Sequence, residues 1–298
     1  RPVVFRFGTF DLVRGDWRRY NQPLNTAQIT SSNTSVDVST VNVLENENRI
    51  PINYKLPPGI VREQLNNFNS VIRQNEQSLS LRVQDLEPKD LKGVYKNIDV
   101  DMRQYKRIKM FIHAESLPNR TPLPGDGSLD DLDKRMVAFM RIGTDMTENY
   151  YQIEVPLQPT PYTEGVANNL SAEEVWQPES NSIDVPLSIF TGAKAKSIQN
   201  RSLVGATYFD EDLNQIDEFT PISSLPGDKK YKIAVRGNPT LGQVRTLMVG
   251  VKNPSESPGD YLHGEVWFNE LRLAEIDSEG GWASVAELDT NIADFATI

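Results

Sequence analysis

From Arg107 to Glu115 apolar and polar residues take turns: Ile108, Met110, Ile112 and Ala114 point one way, Lys109, Phe111 and His113 the other. Successive side chains leave opposite faces of an extended chain, so a period of two with one largely polar face predicts a strand of an antiparallel sheet. The same signature recurs at Ser35–Leu44, where Val36, Val38 and Val43 punctuate a Thr/Val-rich run, and at Glu76–Val83, Gly93–Val100, Tyr231–Val235 and Gln243–Val251. Residues 136–157 read as a hairpin turning at Gly143-Thr144-Asp145. On its return strand Tyr151, Ile153, Val155 and Leu157 share one face and Tyr150, Gln152 and Glu154 the other, which predicts one buried side. Val3–Tyr20 reads as an opening strand pair. Near the other end, Glu265–Leu273 is a strand with Trp267, Leu271 and Leu273 on one face and Asn269 as the polar exception.

Helix signals are few. Pro57 and Pro58, followed by Ile60, Val61, Leu65, Phe68 and Ile72 at near-helical spacing, predict one short helix packed on a sheet, and Ile183–Ile198 holds room for another after Pro186. Polar turns and loops fill the rest, at Gln22–Thr34, Pro88-Lys89-Asp90, Ser116–Lys134 and Gln158–Ser180. Roughly ten strands that never alternate with regular helical crossovers exclude a parallel α/β fold. The prediction is a mainly β chain, an antiparallel two-sheet β-sandwich of jelly-roll type with one or two short helices and long loops, over residues 1–280. Gly280-Gly281 ends it, and Trp282, Val285, Leu288, Ile292 and Phe295 open a new run over 281–298, expected to be the start of a following strand.

Composition removes several functions. With 31 Lys and Arg against 41 Asp and Glu, the net charge of −10 repels nucleic acid. The absence of cysteine excludes disulfides, zinc–thiolate sites and thiol catalysis. No run approaches the ~18 apolar residues of a membrane-spanning helix. Arg1 is not followed by the apolar core of a signal peptide, and the expectation is a piece of a longer protein.

Candidate chemistry is sparse. His113 and His263 are the two histidines, no His-Glu-x-x-His pair, Gly-x-Ser-x-Gly elbow or phosphate-binding glycine loop accompanies them, and His113 reads as an ordinary hydrogen-bonding residue of a sheet face. A sandwich glycosidase needs two acids facing across a cleft. Glu154 and Glu270 are the natural pair, each expected instead as an exposed or salt-bridged surface acid. Asp126, Asp130, Asp131 and Asp133 have the oxygens to hold calcium but not EF-hand spacing, which favours a solvated acidic loop. Trp17, Tyr20, Tyr150 and Trp176 are the rings that would stack on a sugar if they stood exposed, core packing being the competing reading. No catalytic, cofactor-binding or metal-ligating residue is expected, and the chain reads as no enzyme.

Several strings carry a resemblance. Trp17-Arg-Arg-Tyr20, the runs 75–81 and 105–115, Arg141-Ile-Gly-Thr-Asp145, Asn149-Tyr-Tyr151 and the junction from Gly264 to Trp282 are similar to the SprA (Sov) family, the outer-membrane translocon of type IX secretion and gliding motility in Bacteroidetes. Residues 105–115 and the junction are the most specific. The resemblance implies a non-catalytic structural module, soluble in itself and jelly-roll-like, inserted between strands of a single-chain outer-membrane barrel, with 281–298 beginning a barrel strand. It implies as partners the rest of that barrel protein, accessory translocon subunits and transient secreted cargo, with no cofactor, and it favours the extracellular side of the outer membrane. A carbohydrate-binding module of a cell-envelope protein is the alternative.

Overall fold

A computed structural model describes residues 17–24, 33–62, 64–67, 70–73, 75–117, 136–162, 169–199, 205–276, 291–292 and 296–297. In chain order these form β1 (Arg18–Arg19), β2 (Ser35–Asn42), the helical turn α1 (Val43–Asn46), β3 (Gln64–Asn67), β4 (Ser70–Arg73), β5 (Gln77–Leu86), β6 (Leu91–Val100) and β7 (Tyr105–Glu115). Then come β8 (Val137–Gly143), β9 (Tyr150–Pro156), α2 (Ala172–Trp176), α3 (Pro178–Asn181), β10 (Ile183–Pro186) and α4 (Ser188–Gln199). The last stretch holds β11 (Thr207–Phe209), β12 (Gln215–Ile216), β13 (Lys232–Arg236), β14 (Val244–Lys252) and β15 (Leu262–Ile276), with Asn291–Ile292 and Ala296–Thr297 pairing as β16 and β17.

Two antiparallel sheets result, one of eight strands in the order β1-β6-β14-β8-β9-β13-β11-β12 and one of five in the order β10-β7-β15-β5-β2. Their facing sides supply one core: Leu81, Val83, Ile108, Met110, Ile112, Ala114, Val266 and Phe268 from the smaller sheet, and Val94, Met140, Ile142, Ile153, Val155, Ile233, Val249 and Val251 from the larger. This is the predicted sandwich, and the alternation at Ile108–Ala114 is its plainest sequence trace. The turn at Pro88-Lys89-Asp90 carries the chain from one sheet to the other rather than closing a hairpin. It is fixed by a bond from Asp90 N to Glu87 O and by reciprocal bonds between Asn253 and residues 89 and 90. Among the described residues no helix is long and apolar enough to cross a membrane, which says nothing of barrel strands.

The structure corrects four expectations. Among the described residues of 57–72 there is no helix; Gln64–Asn67 and Ser70–Arg73 pair as antiparallel strands instead. Asn66, Asn67, Val71 and Ile72 are poor helix formers, and the proline signal at 57 and 58 was weaker than that composition. The β8–β9 hairpin is buried on both faces, not one. Trp267 does not share a face with Leu271 and Leu273: a bulge between Asn269 and Arg272, with Glu270 at φ 51°, shifts the phase. Leu271 and Leu273 therefore join Val266 and Phe268 against the core, while Trp267 faces outward into a second one. The stretch Gln158–Ser180 is not all loop, since α2 and most of α3 lie in it. The expected helix after Pro186 is α4. Val3–Asp16, the four aspartates 126–133 and Trp282–Thr290 lie outside the described residues.

Gly93 and Gly250 are register partners in the larger sheet, beneath the Phe139 ring. A Cβ on Gly250 would lie 2.2 Å from the Lys92 carbonyl oxygen and 2.7 Å from both Gly93 Cα and Phe139 Cζ. Gly250→Ala is expected to lower stability by about 1–3 kcal/mol, the usual cost of overfilling a packed site, read as a lower urea midpoint with unchanged slope.

Candidate functional site

Both sheets bury polar groups on their outer faces. On the five-stranded sheet, Glu115 of β7 and Glu265 of β15 stand directly opposite each other in register. They are 0% and 3% exposed. Like charges so placed repel, and burial worsens the cost. The compensation comes from the segment after α1, which lays Arg49 between them: Nη1 donates to Glu115 Oε2 at 3.0 Å and Nη2 to Glu265 Oε2 at 2.9 Å. Arg49 Nη1 also donates to the Ile52 carbonyl at 3.0 Å. Glu265 takes further bonds from Arg82 Nη2 at 2.7 Å, Ser80 Oγ at 2.8 Å and the Trp267 indole N–H at 2.9 Å. His113 lies between the Val175 carbonyl, 2.6 Å from Nδ1, and Glu115 Oε2, 3.3 Å from Nε2.

Aromatic rings seal this cluster. Trp267 stacks on His113 with centroids 4.0 Å apart, and Tyr54 and Trp176 meet edge to face at 6.2 Å. Trp176 arrives at the end of α2, whose start is set by the Ser171–Glu174 capping box, and its indole N–H donates to the Lys55 carbonyl at 2.9 Å. The cluster thus pins onto the sheet both 43–57 and the described covering residues 160–162 and 169–177.

Burial alone would raise the Glu265 carboxyl, but Arg49, the Trp267 indole, Arg82 and Ser80 outweigh it and hold its pKa down at about 2. A depressed carboxylate stabilises the fold above its unfolded pKa and loses that contribution as pH falls toward the folded value. Stability is expected to fall from about pH 4.5 to pH 2 by on the order of 3 kcal/mol from this group. Glu265→Gln should remove that part of the acid limb in urea titrations at stepped pH. An acid limb identical in both proteins would contradict the account.

On the eight-stranded sheet a second polar ladder runs across β8, β9 and β14. Arg141 Nε donates to Gln152 Oε1 at 2.8 Å, Gln152 Nε2 to Glu154 Oε1 at 2.7 Å, and Lys252 Nζ to the same oxygen at 2.9 Å. Lys252 is also 3.2 Å from Glu218 Oε1 and lies over the rings of Tyr208 and Phe219. Strands β11 and β12 and the residues up to Phe219 cover this ladder and leave a cavity of about 350 Å³ beside Arg141. Burial and the carboxylates of Glu154 and Glu218 hold the Tyr208 phenol well above its ordinary pKa.

The sequence-predicted candidates scatter. Glu154 is no surface acid but 1% exposed and paired with Lys252. Glu270 sits at the bulge of the other sheet, so the two do not face one another. Tyr150 and Trp176 are buried, Tyr150 with the Arg141 guanidinium 3.8 Å from its centroid. Trp17 is half-buried with Lys96 over its ring, and Tyr20 meets Tyr95 edge to face. His263 Nδ1 accepts from Asp85 N at 2.9 Å. Among the described residues no cluster of three or more acids or histidines is arranged to hold a metal ion. Arg49, Glu115, Glu265, Arg141 and Lys252 were not legible as a set, because their partners are distant in sequence.

No curated protein matches this chain. Among solved structures, the family 11 carbohydrate-binding module from Clostridium thermocellum in complex with a mixed-linked tetrasaccharide aligns over 87% of this chain and 88% of its own, at 8% identity and a TM-score of 0.34. The family 11 module of a cellulosomal cellulase from the same organism aligns over 88% of each chain, at 8% identity and a TM-score of 0.33. A likeness that loose carries nothing about ligand or activity. The model of one protein family, SprA_N, described as motility related/secretion protein, matches residues 1–298, and the chain belongs to that family.

Proposed function

We propose that this chain is a non-catalytic structural module of an outer-membrane protein translocon that serves type IX secretion and gliding motility. The family match along residues 1–298 is the observation that carries the reading. The geometry supports it: the paired acids of the smaller sheet are clamped by one arginine, and the acid of the larger sheet is tied to a buried lysine. Carboxylates held as ion pairs do not serve as the protonated acid that glycoside hydrolysis requires. What remains is a stiff body whose outer faces are locked by long-range contacts, suited to line or cap a conduit. In this reading the module stands on the extracellular side, and its partners are the rest of the barrel protein, accessory subunits and passing cargo. The carbohydrate-binding alternative loses the stacking faces of Tyr150 and Trp176, which are buried.

Removing residues 17–276 from the full-length protein in a gliding, secreting strain tests this. Cargo in the medium and colony spreading should fall to the level of a strain lacking the whole protein, while the truncated protein is still found in outer-membrane fractions. Secretion and gliding at the parental level would overturn the proposal. So would reducing ends released from a polysaccharide panel by the wild type and lost on Glu154→Gln or Glu265→Gln.

A further inference from the structure

Arg141 is 2% exposed, and its guanidinium makes no ion pair among the described residues. Its Nε is bound to Gln152, its Nη1 to the Met146 carbonyl, and its plane rests on Tyr150. Nη2 has no hydrogen-bond partner among the described residues, and Arg141 lines the 350 Å³ cavity under β11 and β12. A buried cation without a counter-charge costs several kcal/mol, which two neutral acceptors and the rings of Tyr150 and, at 5.8 Å, Phe139 offset only in part. The other charges at the cavity are spoken for or lie at its rim: Arg236 is paired with Glu148 at 3.0 Å, Glu218 with Lys252, and Asp217 is exposed. Thr207, Tyr208 and Gln215 add polar side chains to the wall. The volume lies at the low end of the range that holds small molecules.

We infer that this cavity is a binding site for a small organic carboxylate, with Arg141 as its counter-ion. The planar guanidinium offers the charge-assisted bond that a carboxylate accepts. An acidic sugar and an acylated amino acid share that chemistry. Amide-resolved NMR titration of the chain with sodium glucuronate and with N-acetylglycine, and with glucose as the uncharged control, tests the site and separates the two sources. One or both carboxylates should bind saturably and shift Thr207, Tyr208 and Gln215, glucose should not, and Arg141→Gln should weaken binding by about tenfold or more, the loss of one charge-assisted bond. No saturation by either acid would overturn the inference, as would glucose binding equally, shifts confined to other residues, or undiminished binding by a folded Arg141→Gln. If that variant does not fold, the wild-type shift map decides alone.

Discussion

Arg49→Ala is expected to lower the unfolding free energy by about 3–5 kcal/mol, the usual consequence of removing one partner from a buried ionic cluster. Among the described residues Arg49 is the one group bonded to both Glu115 and Glu265. Without it the two carboxylates confront each other across β7 and β15, and among the described residues Glu115 keeps only His113 at 3.3 Å. Unpaired buried carboxylates protonate more readily, so the gap between wild type and variant should narrow as pH falls below about 4.5. Arg49→Lys should recover only part of the loss, because a single ammonium cannot span both acids as the guanidinium fork does. Equilibrium urea unfolding at pH 7 and pH 4 reads all three. A loss below about 1 kcal/mol at pH 7, the scale of a surface ion pair, would show the cluster to be solvated.

Trp176→Ala should be comparably severe, by about 3–5 kcal/mol. The ring is 0% exposed and touches Tyr54, Phe111, His113 and Trp267, so its removal leaves a void between the sheet and its cover. It also strands the Lys55 carbonyl that the indole N–H satisfies. Trp176→Phe keeps much of the packing and loses that bond, and should cost about 1 kcal/mol for the bond with a smaller cavity loss. Thermal unfolding of both variants checks the order. If alanine and phenylalanine were equally mild, the second core would contribute little to stability.

The sandwich was legible because its inner faces obey a period of two. Ile108 to Ala114, and Tyr151 to Leu157, alternate against neighbours that look solvent-facing. Those neighbours misled: Gln152 and Glu154, like His113 and Glu115, read as an outer polar face but lie under a further layer of chain. The sequence cannot announce that cover. Arg49 reaches Glu265 across 216 positions, and Lys252 reaches Glu154 across 98. The bulge at Glu270 was hidden for another reason, since a left-handed glutamate carries no glycine to mark it. One local device carries a sequence signature of its own. Asp145 with Asn149 and Asp210 with Asn214 share the spacing Asp-x-x-x-Asn and the same bonds: the aspartate Oδ1 accepts from backbone N–H groups two and four residues on, and the asparagine Nδ2 donates to Oδ2. Each closes a strand reversal, β8 to β9 and β11 to β12.

The most direct test of a module that works by shape is to keep the shape and delete the charges. The triple replacement Arg49→Met, Glu115→Gln and Glu265→Gln turns the buried cluster into a neutral one of similar volume, a change of a kind that is often neutral or stabilising. Cargo secretion by cells carrying it in the full-length protein is the measurement, alongside the urea midpoint of the isolated chain. Parental secretion with a midpoint at or above wild type is the predicted result. A chain that folds as firmly as the wild type while secretion fails would contradict the account, because the charges themselves would then be what the function uses.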